Sequence, residues 1–190
     1  LLAREAPRLS ASRRVWEPAV GDGAMAAEIG AAGFDVIGSD IQDRGWPGTT
    51  VRSFYDFDAA PAPAIVTNPP YREINARDGH GKWLHHTLTL PGWDWCALLL
   101  SWDWPAARAN GLGPLLDRHT FTTAYLMRWK IDFTGAGRPP HRNAWFVWDR
   151  RDPRSWDDAS LPPPTFQRLD REDARQGDML FPNGLKRKLT

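Results

Sequence analysis

The sequence has almost no cysteine, since Cys96 is the only one in 190 residues. One thiol cannot form an intramolecular disulfide, which excludes the disulfide-rich secreted scaffolds and fits a reducing compartment. Long apolar runs are absent too, because no stretch approaches the roughly 20 residues of a membrane-spanning helix. Neither charge is in large excess, and the formal net charge is +1. These absences favour a cytoplasmic globular protein without a membrane partner.

Hydrophobic residues make up 42% of the chain, enough for one domain with a core. The first residues do not continue into an apolar segment, so we expect no signal peptide, and a start at Leu1 rather than Met indicates a processed or trimmed product. Composition predicts an N-terminal arm (1–12), a folded domain (13–150) and a polar, proline-containing C-terminal tail (151–190).

The folded part alternates predicted strands with predicted helices. Strands are expected at 13–16, 34–40, 64–67, 95–101, 125–133 and 143–148, and 49–54 is either a short third strand or a crossover. Helices are expected at 24–32 and 83–90, and a third, broken around Gly111 and Gly113, is expected over 105–116. Such alternation is typical of an α/β doubly wound sheet, and the last two strands predict an antiparallel hairpin at its edge.

Asn68-Pro69-Pro70-Tyr71 follows the apolar run 64–67 and is the most informative stretch. Two consecutive prolines cannot continue a strand, so they leave a stiff loop between an amide and a phenol ring. In open α/β sheets, ligands bind at the carboxyl ends of the strands. Carbonyl acceptors beside an aromatic ring suit a flat group that carries an amino function, such as the edge of adenine.

A second motif runs from Glu17 to Gly23 (Glu-Pro-Ala-Val-Gly-Asp-Gly), between the first strand and the first helix. Asp40 ends the next strand, where dinucleotide-binding folds place the acid that binds ribose hydroxyls. The dinucleotide fingerprint, however, has a third glycine where this chain has Ala26, and an acid at the mouth of the loop repels a pyrophosphate. S-adenosylmethionine, with its sulfonium and ammonium, fits this charge better than NAD does.

Together, the Glu17 to Gly23 motif, Asp40-Ile41, Asp56-Phe57 and Asn68 to Tyr71 resemble the class I S-adenosylmethionine-dependent methyltransferases, specifically the NPPY-type enzymes that methylate the N6 amino group of adenine in DNA. The resemblance covers roughly residues 13–148. It implies a Rossmann-like, mostly parallel seven-stranded sheet with an antiparallel edge hairpin, in a single methyltransferase domain.

The resemblance also implies a role for each motif residue. Glu17 would lie near the methionine end of the cofactor, Asp40 would bind its ribose, and Ile41 would pack on its adenine ring. Asp56 would accept a hydrogen bond from the adenine amino group, and Phe57 would line the same pocket. The implied cofactor-binding set is Glu17, Pro18, Ala19, Gly21, Gly23, Asp40, Ile41, Asp56 and Phe57.

The implied catalytic residues are Asn68, Pro69 and Tyr71. Asn68 and the Pro69 carbonyl would accept the hydrogens of the target amino group, while Tyr71 would stack on the target ring. The products would be a methylated amine and S-adenosylhomocysteine. A target adenine in a duplex has to be flipped out of its stack, so the expected partner is nucleic acid, with DNA favoured over RNA.

No separate target-recognition domain is evident, so recognition would be relaxed or would come from loop 72–82 or a separate subunit. Two alternatives stay open, a protein glutamine N5-methyltransferase with the same acceptor loop, and a non-catalytic methyltransferase-like subunit. No metal is expected, because His80, His85 and His86 do not complete a recognisable ligand spacing.

Overall fold

One eight-stranded sheet forms the centre of the protein in the computed structural model, which describes residues 1–9, 13–74, 81–106, 112–132, 137 and 141–170. The strands are Arg14–Glu17 (β1), Asp35–Asp40 (β2), Thr50–Val51 (β3), Ala64–Thr67 (β4), Trp95–Ser101 (β5), Thr123–Met127 (β6), Asn143–Asp149 (β7) and Thr165–Leu169 (β8). The helices are Leu2–Leu9 (α1), Ala24–Ala31 (α2), Tyr71–Ile74 (α3), Lys82–Thr89 (α4) and Leu112–Arg118 (α5).

The strand order is β3-β2-β1-β4-β5-β7-β6-β8. All neighbouring strands are parallel except that β7 runs antiparallel to both β5 and β6. The chain moves outward from β1 to β3 and then returns to β4 on the other side of β1. The boundary between β1 and β4 is therefore the topological switch point, where open α/β sheets bind ligands.

The central strands β4 and β5 consist almost entirely of buried residues, because both faces of the sheet are covered there. One face buries Trp16, Ile65 and Leu98 in a core that includes α4 and α5. The opposite face buries Val15 and Val66 in a core that includes α1 and α2. The burial of alternate residues on opposite faces fixes the register of β1 and β4.

The predicted fold class is confirmed, with one strand more than expected. The eighth strand, β8, pairs in parallel with β6 and extends the sheet beyond the β6–β7 hairpin. Four of the five residues of β8 are exposed. With only one buried residue, the strand shows little of the alternation between apolar and polar residues that predicts a strand from sequence. The rest of the predicted tail, 171–190, lies outside the described residues.

Three further elements differ from the prediction, and the first is β3, which spans only Thr50–Val51 within the expected range 49–54. Strand β6 ends at Met127 instead of continuing to 133, because its pairing with β8 stops at Leu169. Where a helix broken around Gly111 and Gly113 is expected over 105–116, the structure has a 3-10 turn at Trp104–Ala106 and then α5, with 107–111 outside the described residues.

Helix α1 lies where the sequence predicts an arm. Its Glu5 side chain is 3% exposed and accepts hydrogen bonds from Trp95 Nε1 at 3.2 Å and from the Tyr125 hydroxyl. Burial and the Glu5 carboxylate raise the pKa of Tyr125. The helix is anchored partly by a buried acid, which apolar periodicity does not reveal. No helix in the described part of the chain is long and apolar enough to cross a bilayer.

Candidate active site

The residues predicted for the site converge on the carboxyl edge of the parallel strands. Glu17 ends β1, Asp40 ends β2, and Asn68 directly follows β4. Because β1 lies between β2 and β4, the turn after β1 has Asp40 on one side and the Asn68 loop on the other.

The turn after β1 is tied to the end of β2 by two hydrogen bonds. The Gly21 amide donates to Asp40 Oδ2 at 2.9 Å, and the Val20 amide donates to the Ser39 carbonyl at 3.0 Å. Gly21 has a φ of 58°, and apart from Gly21 and its two chain neighbours no atom of the described residues lies within 4 Å of the position that a Cβ would occupy. The backbone therefore takes a left-handed turn next to open space, which allows a ligand to approach it closely.

Asp40 is held in a fixed orientation by the backbone. It is 8% exposed, and its second oxygen, Oδ1, accepts from the Gln42 amide at 3.1 Å. An ionised carboxylate offers about four acceptor positions, so two backbone donors leave capacity for a ligand hydroxyl pair.

Glu17 is the most strongly perturbed acid of the site. Its side chain is 2% exposed, and its Oε2 has no hydrogen-bond partner in the described chain. Burial, together with the nearby charges of Asp22 and Asp40, raises the pKa of Glu17 to about 8. A buried carboxyl beside two other acids is stabilised in its ionised form by a cation, so this pocket favours a positively charged ligand.

The other residues predicted to bind the cofactor differ in their exposure. Pro18 is buried and Ala19 half-buried. Ile41 is 69% exposed, so its apolar side chain is available to a ligand. Phe57 packs against Trp16 with ring centroids 4.8 Å apart, and the Arg52 guanidinium lies 4.6 Å from the Phe57 ring centroid. Asp56 is exposed at the end of the 3-10 turn Phe54–Asp56.

Trp46 belongs to this neighbourhood, although none of the sequence motifs contains it. Its ring fills the space that a Cβ at Gly23 would need and also lies against Gly38 of β2. Gly23 has a φ of 84° and immediately precedes α2. The only sequence signal is an aromatic residue in the Gly45 to Gly48 loop, shortly after Asp40.

The loop after β4 contains a buried side-chain oxygen that has no hydrogen-bond partner among the described residues. Thr67 and Pro69 are buried, Asn68 is half-buried, and Asn68 Oδ1 is buried without a hydrogen-bond partner in the described ranges. The Pro70 carbonyl accepts from the Glu73 amide at 2.9 Å, which turns the chain into α3. The loop therefore holds an unsatisfied acceptor at the end of a rigid strand, and such a group calls for a donor.

Tyr71 is the first residue of α3, and its phenol oxygen accepts a hydrogen bond from Asn143 Nδ2 at 2.9 Å. Burial raises the pKa of Tyr71 to about 12. Asn143 was missed by the sequence analysis, because nothing in the local pattern separates it from any other polar residue at the start of a strand.

A side-chain hydrogen bond joins the 3-10 turn Phe54–Asp56 to α3. The Tyr55 hydroxyl of the 3-10 turn donates to Glu73 Oε2 of α3, and Lys82 Nζ lies 4.0 Å from the Tyr55 ring centroid. His86 packs edge-on against Tyr55, and burial lowers the pKa of His86. Across the described residues, no group of three or more His, Cys, Asp or Glu side chains is arranged to hold a metal ion, and His80 lies outside them.

No known protein-family profile matches the sequence, and no curated protein matches it. Several solved structures share its fold. A DNMT2 of Spodoptera frugiperda is 14% identical over 82% of this chain and 55% of that chain, with a TM-score of 0.53. A modification subunit of a putative type I restriction enzyme from Vibrio vulnificus is 12% identical, covering 93% and 49% of the two chains, with a TM-score of 0.50.

A putative class I S-adenosylmethionine-dependent methyltransferase from Listeria monocytogenes is 11% identical over 91% of this chain and 64% of that chain, with a TM-score of 0.51. The chain thus spans between about half and two thirds of the length of these three structures. At such identities the likeness concerns the fold. The chain has the class I methyltransferase fold.

Proposed function

We propose that the protein is an S-adenosylmethionine-dependent N-methyltransferase that acts on the N6 amino group of adenine in nucleic acid, with DNA favoured over RNA. The observation that carries the proposal is the buried Oδ1 of Asn68, which has no hydrogen-bond partner among the described residues and directly follows β4, three residues before Tyr71. An amide oxygen and a phenol ring on a rigid loop are the groups that a planar amine requires.

The cofactor side fits S-adenosylmethionine in shape and charge. The open space next to Gly21 admits a ligand against the backbone, and Asp40 keeps acceptor capacity for ribose hydroxyls. Glu17 would be stabilised in its ionised form by the ligand's positive charges. Ile41 and Phe57 would contact the adenine of the cofactor, and Asp56 its amino group. S-adenosylmethionine supplies an electrophilic methyl group when it is bound.

The target side addresses the weak nucleophilicity of an exocyclic amine, whose lone pair is delocalised into the ring. Asn68 Oδ1 and the Pro69 carbonyl would accept its two hydrogens and orient the lone pair away from the ring. Tyr71 would stack on the base and offset part of the cost of flipping it. Positioning of this kind accounts for a large share of rate enhancement in transfers between two bound groups.

The similarity to a modification subunit of a putative restriction enzyme supports nucleic acid as the substrate and a separate subunit for target recognition. Arg72 is exposed on α3, one residue after Tyr71, and is available to a phosphate. Arginine forms bidentate contacts with phosphate, so this position suits the backbone flanking a flipped base.

Methyl transfer from tritiated S-adenosylmethionine tests the proposal on four substrates: double-stranded DNA, single-stranded DNA, RNA and a protein extract. We expect label in DNA, recovered as N6-methyladenine after nuclease digestion. Asn68→Ala should lower transfer by about 100-fold or more while cofactor binding by calorimetry is retained. Gln167→Ala, which removes an exposed amide on β8, is the matched control and should leave transfer unchanged.

The outcomes separate the alternatives. Label recovered only as N5-methylglutamine in protein would replace the nucleic-acid substrate with a protein. A chain that does not bind S-adenosylmethionine would instead be a non-catalytic subunit.

A further inference from the structure

We propose that Asn143 is a positioning residue for Tyr71, which makes the Tyr71 hydroxyl a hydrogen-bond donor to the substrate. The inference rests on the proposed function and deepens it. It assigns Tyr71 a polar role besides stacking, and it assigns a function to a residue that none of the sequence motifs contains.

The topology explains why Asn143 reaches the site. Strand β7 is antiparallel to β5, so its first residue lies at the carboxyl edge of the sheet and pairs with Ser101, the last residue of β5. Asn143 is 2% exposed, and from this position its amide group contacts Tyr71 across the end of the strands. A strand in the opposite direction thereby brings its amino end to the edge where the parallel strands end.

The contacts of Asn143 fix the direction of the hydrogen bond. Its Nδ2 lies 2.9 Å from the Tyr71 oxygen and 3.5 Å from the Leu100 carbonyl. A backbone carbonyl can only accept, so the amide atom that faces Leu100 has to be the NH2 group. The same group therefore donates to Tyr71, and the phenol oxygen is the acceptor.

The hydrogen of the Tyr71 hydroxyl is consequently left without an acceptor in the described structure. Asn143 Oδ1 is buried and has no hydrogen-bond partner among the described residues, so the phenol hydrogen is not engaged there. The helix α3 backbone holds one end of the ring and Asn143 holds the other. With the oxygen occupied on the Asn143 side, the free O–H points away from Asn143 and is available to an acceptor atom of the substrate.

A double-mutant cycle of Tyr71→Phe and Asn143→Ala tests whether Asn143 acts through the hydroxyl. Each single substitution should lower kcat about tenfold, with little change in the Kd for S-adenosylmethionine. The double variant should be no slower than either single variant, since both remove the same interaction. Asn143→Asp places an acceptor where the donor was and draws the phenol hydrogen toward itself, so it should lower kcat at least as far as Asn143→Ala.

Tyrosine labelled with 13C at Cζ gives a reading that does not depend on activity, because the chain has only 3 tyrosines. The Tyr71 resonance, identified by its loss in Tyr71→Phe, should shift in Asn143→Ala, while those of Tyr55 and Tyr125 should stay in place.

Three results would overturn the inference: multiplicative losses of kcat in the double variant, wild-type kcat in Tyr71→Phe, or an unmoved Tyr71 resonance in folded Asn143→Ala. If Asn143→Ala does not fold, Tyr71→Phe still decides, because it removes the hydroxyl and keeps the Asn143 packing. If the wild type transfers no methyl group, the proposed function fails, and the NMR shift still reports the Asn143 hydrogen bond.

Discussion

At the scale of single residues, the Glu17 carboxyl couples the site to the stability of the fold. A group whose pKa is higher in the folded than in the unfolded chain binds more protons when folded, so its contribution to stability is lost as pH rises. For Glu17 this window runs from its ordinary value of 4.5 to about 8. Near pH 8, the buried negative charge of Glu17 lowers the free energy of unfolding unless a cationic ligand is bound.

We therefore expect Glu17→Gln to stabilise the protein increasingly as pH rises through that window. Each unit of pKa difference corresponds to about 1.4 kcal/mol, so the gain at pH 8 should be well above 1 kcal/mol. Urea unfolding at pH 5, 6.5 and 8 measures the difference from wild type. Glu28→Gln, an exposed acid on α2, is the control. A Glu17→Gln effect that does not change with pH would contradict the raised pKa.

The residues that could be predicted from sequence are those with a local signature. Asn68 follows a buried run and precedes two prolines, and Asp40 ends a strand shortly after a glycine turn. Trp46 and Asn143 have no such signature. Their partners, Gly23 and Tyr71, are distant in sequence, so these contacts exist only after the sheet has formed.

At the scale of elements, helix α2 begins at a glycine that no other residue can replace without cost. Gly23 has a left-handed backbone, and Trp46 fills the space next to it. We expect Gly23→Ala to lower the free energy of unfolding by about 1–3 kcal/mol and to weaken cofactor binding, because either the turn or the indole ring has to move.

Gly30→Ala is the matched control, since Gly30 lies in the same helix with open space next to it. This substitution should stabilise the protein by about 0.5–1 kcal/mol through the unfolded state and leave cofactor binding unchanged. Chemical denaturation and calorimetric titration measure both effects. Equal stability of the two variants would show that Trp46 does not constrain the turn.

Elements with a buried face were predictable, and elements held by specific contacts were not. The strand β4 and the helix α4 follow from apolar patterning, and both lie within a residue of the predicted positions. Helix α1 depends on the buried Glu5 carboxylate, and β8 depends on an edge that β6 offers. The buried carboxylate and the edge pairing are both tertiary contacts, which apolar patterning alone does not predict.

At the scale of the whole molecule, the strand order determines where a ligand can bind and therefore how binding affects unfolding. The switch point between β1 and β4 brings the Glu17 to Gly23 turn next to Asp40. A ligand bound at this switch point would contact the carboxyl ends of β1, β2 and β4. Because it binds only the folded chain, it would raise the free energy of unfolding of the whole domain.

We expect S-adenosylhomocysteine at about 100 times its Kd to stabilise the protein by about 2.7 kcal/mol, which corresponds to a rise in Tm of roughly 5–10 °C for a domain of this size. NAD at the same concentration should leave Tm unchanged, because the carboxylates of Asp22 and Asp40 next to the turn repel its pyrophosphate. Thermal unfolding monitored by circular dichroism measures both. An equal rise with NAD would favour a dinucleotide site and contradict the proposed cofactor.

Asp40→Asn should lose much of this rise in Tm, because a neutral amide is a weaker acceptor for ribose hydroxyls than a carboxylate. Asp35→Asn removes an acid from the opposite end of the same strand, where it is exposed and remote from the turn, and should keep the full rise. A loss in both variants would mean that the net charge of β2, not the position of Asp40, governs binding. A loss confined to Asp40→Asn would support the ligand site at the carboxyl edge, where the strand order brings the glycine turn and the Asn68 loop together.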